Sequence, residues 1–324
     1  MKTHSREISV AFAIIALGIL LALVAPDYFS RENLTDLFLA NVPVLLIALG
    51  MTLVIIIGQI DISVGSIFAI CGVSAGLFAK SGLPAPLAGL GACLVGAALG
   101  ALNGSLVAYV RIPSIVVTLA SMVALRDALR WQTQGAWVQD LPAGFQWLGL
   151  SQSSYPVMSL IVAVVLSWGI AWGMRNLAVG RAVYATGSNQ ESARLAGIHT
   201  SLVTFTVFGL LGTLTGFAAA LNAVRFNQIP SNAGLGLEMK VIAAVVVGGA
   251  AITGGKGTIV GTVLGVVLLG AIGPGLTFLG ISAYWERAVQ GGIILAAIVI
   301  DAVRSPTSKT RQEKDGSHLA TSRA

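Results

Sequence analysis

Long apolar stretches, separated by isolated charges, dominate the chain. Runs free of Asp, Glu, Lys and Arg cover 8–26, 37–60, 62–79, 81–110, 112–125, 141–174, 195–224, 241–255, 257–285 and 288–300. A charge at the centre of a membrane helix costs about 2.5–3.5 kcal/mol on insertion scales, so such runs measure insertable material directly. They predict an all-α polytopic membrane protein of about ten transmembrane helices. The pieces starting at 112, 241 and 288 are shorter than the ~20 residues of a full crossing. Each must use flanking residues, tilt, or be a broken segment shielded by protein.

Composition agrees with the pattern. Of 324 residues, 56% are apolar and 10% charged, against about 25% charged in soluble domains. The run from Ile8 to Ala25 is followed by Pro26-Asp27-Tyr28-Phe29 with no small-x-small cleavage site, and reads as a first span rather than a cleaved leader. Positions 1–7 are then an N-terminal tail and 8–304 one transmembrane domain. The stretch 305–324 is polar, without apolar periodicity, and is expected to be disordered and cytoplasmic. With the N-terminus inside and alternation thereafter, twelve of the 19 Lys and Arg face the cytoplasm and seven face out. Both termini are therefore expected in the cytoplasm. The net charge of +6 serves orientation in the bilayer, and no nucleic-acid partner is expected.

Glycine recurs every fourth residue in two spans, Gly96, Gly100 and Gly104, and again Gly257, Gly261 and Gly265. Such stripes let helices approach closely. Their presence in both halves predicts an internal repeat, a common build among transporters.

Little chemistry is on offer. Cys71 and Cys93 lie in apolar runs without CxxC spacing, and His4, His199 and His318 are far apart; no metal, cofactor or catalytic residue is expected. Gly248 to Thr258 is glycine-rich, but Gly257 follows Lys256 where a phosphate loop needs Ser or Thr, so it reads as a hinge between helices. An intramembrane enzyme would need a nucleophile and base or a metal group at depth. A carrier or channel for a small neutral solute is the other rival, but ion coupling needs an ionisable group within the membrane. Asp61, Arg126, Asp127, Arg130, Glu238 and Lys240 are all read as boundary residues, so energy is expected to enter from a partner.

Asp61 lies in Gly58-Gln59-Ile60-Asp61-Ile62-Ser63-Val64-Gly65-Ser66. It could gate a pathway or contact a partner. Equally, Asp61 or Ser63 could accept the free N–H groups of a helix start, with Gly65 easing the turn. The segment 176–199 is the most informative loop. Ser188 and Glu191 have capping-box spacing, Gly197 is a stop, and Glu191 and Arg194 can pair three residues apart. This predicts a helix of about two turns over 188–197, roughly 12 Å long. It is either a docking knob for a soluble partner or a surface helix lying on the bilayer.

Four ordered motifs then carry a resemblance. They are Gly58 to Ser66; Leu102-Asn103-Gly104 through Arg111-Ile112-Pro113-Ser114 to Leu119; Gly180-Arg181-Ala182-Val183-Tyr184-Ala185-Thr186-Gly187; and Leu237 to Ala244 leading into Gly254-Gly255-Lys256-Gly257-Thr258. In register from about 35 to 301, the chain resembles the permease family of ribose-type ABC sugar importers. Gly135-Ala136-Trp137-Val138, Leu141-Pro142 and Gly236-Leu237-Glu238-Met239-Lys240 are most similar to its autoinducer-2 and rhamnose branch. The resemblance implies two ATP-binding cassette subunits, a second permease copy, identical or a sister chain, and a periplasmic sugar-binding protein. It also implies that Gly180 to Gly197 docks on the ATPase, which alone would hydrolyse ATP. A pathway for a neutral hydroxylated solute is expected to use groups such as Asn41, Asn103, Thr118, Ser121 and Asn222.

Overall fold

The computed structural model describes residues 4–282 and, beyond them, 284–286, 288–289, 291–292 and 295. Eleven named α-helices follow one another among these residues: α1 His4–Val24, α2 Arg31–Ile56, α3 Val64–Lys80, α4 Ala85–Ala108, α5 Ser114–Thr133, α6 Tyr155–Asn176, α7 Ala178–Ser188, α8 Gln190–Leu195, α9 Thr200–Ala223, α10 Leu237–Val247 and α11 Ile259–Phe278. No named strand occurs among the described residues. Among the described residues, six helices (α1, α2, α4, α6, α9 and α11) are long and apolar enough to cross a membrane, and α3 is a shorter apolar helix. Nine of the ten apolar runs thus carry one helix each from α1 to α6, α9, α10 and α11. The tenth, 288–300, lies largely outside the described residues, as does 305–324.

Burial sorts the helices into centre and shell. The apolar window of α2 is 83% buried, whereas those of α1 and α6 are 11% and 17% buried. A helix apolar on all sides belongs in the middle, and α2 packs against α9, α11, α10 and α6. The outer faces of α1, α4 and α6 expose Phe12, Leu23, Leu94, Ile161 and Trp168. In a protein of this composition that shell is the lipid contact.

Close approach is built from glycine. Along α4, Gly96 and Gly100 sit so near α9 that an added Cβ would strike the carbonyls of Gly212 and Phe208, and Gly104 lies against Phe208. Reciprocally, Gly212 and Gly216 of α9 face the carbonyls of Gly96 and Ala92. This α4–α9 pair is the most extensive helix contact in the molecule. On α11, Gly261 and Gly265 meet the carbonyls of Gly248 and Ala244 in the same way. The third member of that expected stripe differs: Gly257 precedes the helix, because Thr258 takes extended backbone and its hydroxyl caps Gly261 N–H at 3.0 Å.

Two stretches between helices are non-helical within the bundle. From Ile57 to Ser63 the chain turns back against the starts of α3 and α5. Residues 225–236 run without helix alongside α3, with Ile229 against Gly76 and Gly234 against Gly65. The guanidinium of Arg126 donates to the Ala233 carbonyl at 2.7 Å. Such backbone survives at membrane depth only when protein surrounds it. The predicted short piece at 241–255 is accordingly α10, eleven residues with irregular chain on both sides. The run at 112–125 instead becomes a full helix by continuing through Arg126, Asp127 and Arg130.

The connection between α5 and α6 folds over the 224–231 backbone. Val138 and Ile229 exchange two bonds at 3.0 and 2.9 Å, Trp147 N–H donates to Val224 O at 2.8 Å, and Ser231 Oγ to Gly135 O at 3.0 Å. Non-glycine residues Gln134, Asp140, Trp147 and Leu148 adopt left-handed backbone within it, a conformation that neighbours must hold in place.

Candidate functional site

Three regions gather the polar residues. The first is the protrusion 176–199. It consists of two helices, not one over 188–197. Ser188 ends α7; Asn189, in extended backbone, caps α8 by accepting Ser192 N–H at 2.9 Å. That puts Glu191 one place too early to close a capping box with Ser188, which is the physical reason the predicted box does not form. Gly197 does stop the helix: its φ is 83°, and Ile198 N–H reaches back to Ala193 O at 3.0 Å. Arg194 and Glu191 stand 3.9 Å apart, both exposed, a pair that contributes little. Leu195 is 83% exposed at the tip while Ala193 is buried beneath it. Arg181 is exposed on α7, and Gly180 packs on the Met174 backbone. The Tyr184 hydroxyl donates to Gly257 O at 2.7 Å; burial pushes this phenol up, so it remains a donor at neutral pH.

Because Asn189 is the cap, Asn189→Ala should loosen α8 by about 1 kcal/mol, whereas Ser188→Ala should leave it nearly unchanged. Hydrogen exchange at the Ser192 amide reads the difference.

The second region is a buried hydrogen-bond chain. Ser121 Oγ donates to Asn103 Oδ1 at 2.6 Å, Asn103 Nδ2 to Ser63 Oγ at 2.9 Å, and Ser63 Oγ to Asp61 Oδ1 at 2.6 Å. Ser63 N–H donates to the same carboxylate oxygen at 2.8 Å. Beside it, Ser114 Oγ accepts Ile60 N–H, Thr118 Oγ1 donates to Ser114 O at 2.9 Å, and Ser66 Oγ donates to Met122 O. Asp61, Ser63, Ser66 and Thr118 are fully buried, and Asn103 nearly so. Asp61 is therefore not a solvated boundary acid: it joins the turn to α4 and α5, and its second oxygen has no partner among the described residues. Gly65 faces Glu238 and the Gly234 carbonyl, and Gly58 faces the backbone at Thr253 and Gly254.

The third region is a cavity of about 1170 Å³, bounded by α2, α9, the irregular 226–236 chain and the start of α10. Asn222 lines it, together with Asn227, Gln228, Trp137 and Phe226, none of which the sequence singled out as a group. The amides of Asn222, Asn227 and Gln228 make no side-chain hydrogen bond within the described protein. Lys240 and Glu286, also in the wall, are 3.6 Å apart. The readable signal was the polar interval 225–236 with Pro230, Gly234 and Gly236 between two apolar runs. Of the five residues expected along a pathway, Asn103 and Ser121 belong to the buried chain, Thr118 stands beside it, and Asn222 lines the cavity. Asn41 stands apart, in a groove of about 710 Å³ with almost wholly apolar walls, donating to Leu37 O at 2.8 Å.

Among the described residues, no group of three or more His, Cys, Asp or Glu is placed to hold a metal. The two cysteines are free, Cys71 buried and Cys93 half-buried.

A multi-pass bundle with broken segments around a largely apolar cavity that carries a few polar groups defines a class, membrane transport proteins. Residues 33–298 match the family described as branched-chain amino acid transport system / permease component. The chain belongs to this family of permeases. It is 35% identical to the autoinducer 2 import system permease protein LsrC of Photorhabdus luminescens over 304 residues, 92% of this chain and 90% of that one. The LsrC proteins of Salmonella typhi and Photorhabdus laumondii are 37% and 34% identical, over 92% and 96% of this chain and 86% and 94% of theirs. The resemblance carried by the four motifs is thereby borne out. No solved structure matches the chain significantly.

Proposed function

We propose that this chain is the membrane-spanning permease subunit of an ATP-binding-cassette importer for a small neutral sugar or sugar-like ligand, the autoinducer-2, rhamnose or monosaccharide class. Its ten-span reading places both termini in the cytoplasm of a bacterial inner membrane. It works as a pair, with an identical or sister copy, above two ATPase subunits that hydrolyse the ATP, and receives ligand from a periplasmic binding protein. The relatives' printed role in autoinducer 2 import supports the ligand class. The glycine stripes of α4 and α11, each seating another segment's backbone, support a two-fold internal repeat.

The observation that carries the proposal is the α7–α8 protrusion. A six-residue helix is marginal in water, yet this one is capped, stopped and tied to the bundle while presenting Leu195 outward. That is a preorganised docking knob. The mechanism is alternating access: closure of the ATPases shifts the knob, and the cavity lined by Asn222 opens toward the opposite side. Its free amides suit hydroxyl groups, and Trp137 and Phe226 suit a ring's apolar face.

Charge reversal at Arg181 or Arg194 should reduce recovery of the ATPase subunits on co-purification while membrane insertion stays intact. Unchanged recovery and uptake in both variants would remove the docking assignment. One observation favours a second reading, a secondary carrier: Asp61 is an ionisable group inside the bundle with a free oxygen. Uptake by the chain alone in sealed vesicles without ATP would decide for the carrier.

A further inference from the structure

The knob is held to the bundle by close backbone contacts as well as by the Tyr184 bond to Gly257 O. Gly187, near the end of α7, lies where any Cβ would strike the Ile56 carbonyl at the end of α2. The Gly255 N–H donates to that same carbonyl at 2.7 Å. Gly254 and Gly255, both with left-handed backbone at φ 86° and 73°, press on Gly187 O and Ser188. Three segments, the ends of α7 and α2 and the turn 248–258, thus meet backbone against backbone. Such a joint has no rotamers to absorb a displacement, so movement of one segment is passed to the others.

Of the two helices leaving the joint, α2 is a 26-residue helix packed against α9, α11, α10 and α6. In contrast, α10 is about 16 Å long, with irregular chain at both ends. Its far end places Leu237, Met239 and Lys240 in the cavity wall, while Gly248 at its near end sits on the Gly261 carbonyl. A short rod with one end at the joint and the other in the cavity wall is placed to pass a displacement from one to the other.

We infer that α10 is the rod that carries movement of the α7–α8 knob to the cavity, with Gly187, Gly254, Gly255 and Tyr184 as the positioning residues of the joint. This rests on the importer reading. It differs from it in naming which element moves.

The test uses the permease assembled with its ATPase subunits in nanodiscs, with Cys71→Ser and Cys93→Ala, and Met239→Cys in the cavity wall as a target for maleimide. Adding ATP and vanadate should change the labelling rate at position 239 by at least about fivefold, the low end of ordinary coupling between sites. Gly187→Ala should remove that response while ATP hydrolysis continues. Tyr184→Phe, which only deletes the bond to Gly257 and keeps the ring, should at least halve it. A full response in assembled Gly187→Ala, or in Tyr184→Phe, overturns the inference, and Tyr184→Phe decides if Gly187→Ala does not assemble. A parent complex that binds ATPase subunits but shows no change at 239 also overturns it, leaving the importer reading intact. Failure of the parent to bind any ATPase subunit overturns the importer reading itself.

Discussion

Gly212→Ala should be among the most damaging single-methyl changes in this chain, lowering the unfolding midpoint in detergent and the yield of folded protein. The new Cβ would fall on the Gly96 carbonyl, and Gly96 returns the same contact to Gly212. A backbone carbonyl cannot rotate aside, so relief requires α4 and α9 to separate along a face that also holds Gly100, Phe208 and Gly216. Overpacking typically costs about 1–3 kcal/mol, and loss of neighbouring contacts puts this site at the upper end. The same helix supplies its own control. Gly209 has nothing within 4 Å of a Cβ, so Gly209→Ala should be neutral or gain up to about 1 kcal/mol from helix propensity. Equal behaviour of the two variants would contradict the packing account of the α4–α9 face.

That face was legible in the sequence because lipid imposes a simple grammar. Helices cannot be drawn together by hydrophobic burial in a bilayer, so close packing must be written in small residues at helical spacing, as at Gly96, Gly100 and Gly104. Charges mark span limits for the same reason, and the runs from 8–26 to 257–285 each contain one helix. The grammar failed where protein replaces lipid as the surroundings. Asp61 looked like a boundary acid because the chain that ends on it, beyond Ser63, is built from Asn103 and Ser121 of distant helices. The interval 225–236 looked like an ordinary loop, because nothing local says that Arg126 and α3 enclose it. At 188–191 two side chains competed for one cap. The winner, Asn189, was set by where α7 ends, and that follows from the joint with Ile56 and Gly255. Asn41 and Asn222 are chemically alike, and only packing sends one to an apolar groove and the other to the cavity.

The same enclosure makes Asp61 the second site of large effect. Every link in its chain donates in one direction, from Ser121 through Asn103 and Ser63 to a single carboxylate oxygen. Asp61→Ala removes the terminal acceptor and strands both the Ser63 N–H and its hydroxyl in a dry interior. Each orphaned group costs about 1–3 kcal/mol, so the turn between α2 and α3 should loosen and folded yield should drop. Asp61→Asn keeps an acceptor at the same place and puts an uncharged amide nitrogen where the unpartnered oxygen lies; it should cost clearly less stability than Asp61→Ala. Pairing Asp61→Ala with Asn103→Ala should cost less than the sum of the two, since both break one network. Transport separates the roles. In an ATP-driven importer Asp61→Asn keeps its uptake, because the carboxylate holds a turn and moves no ion. A carrier that coupled an ion through this acid would lose accumulation in Asp61→Asn even though the protein folds normally.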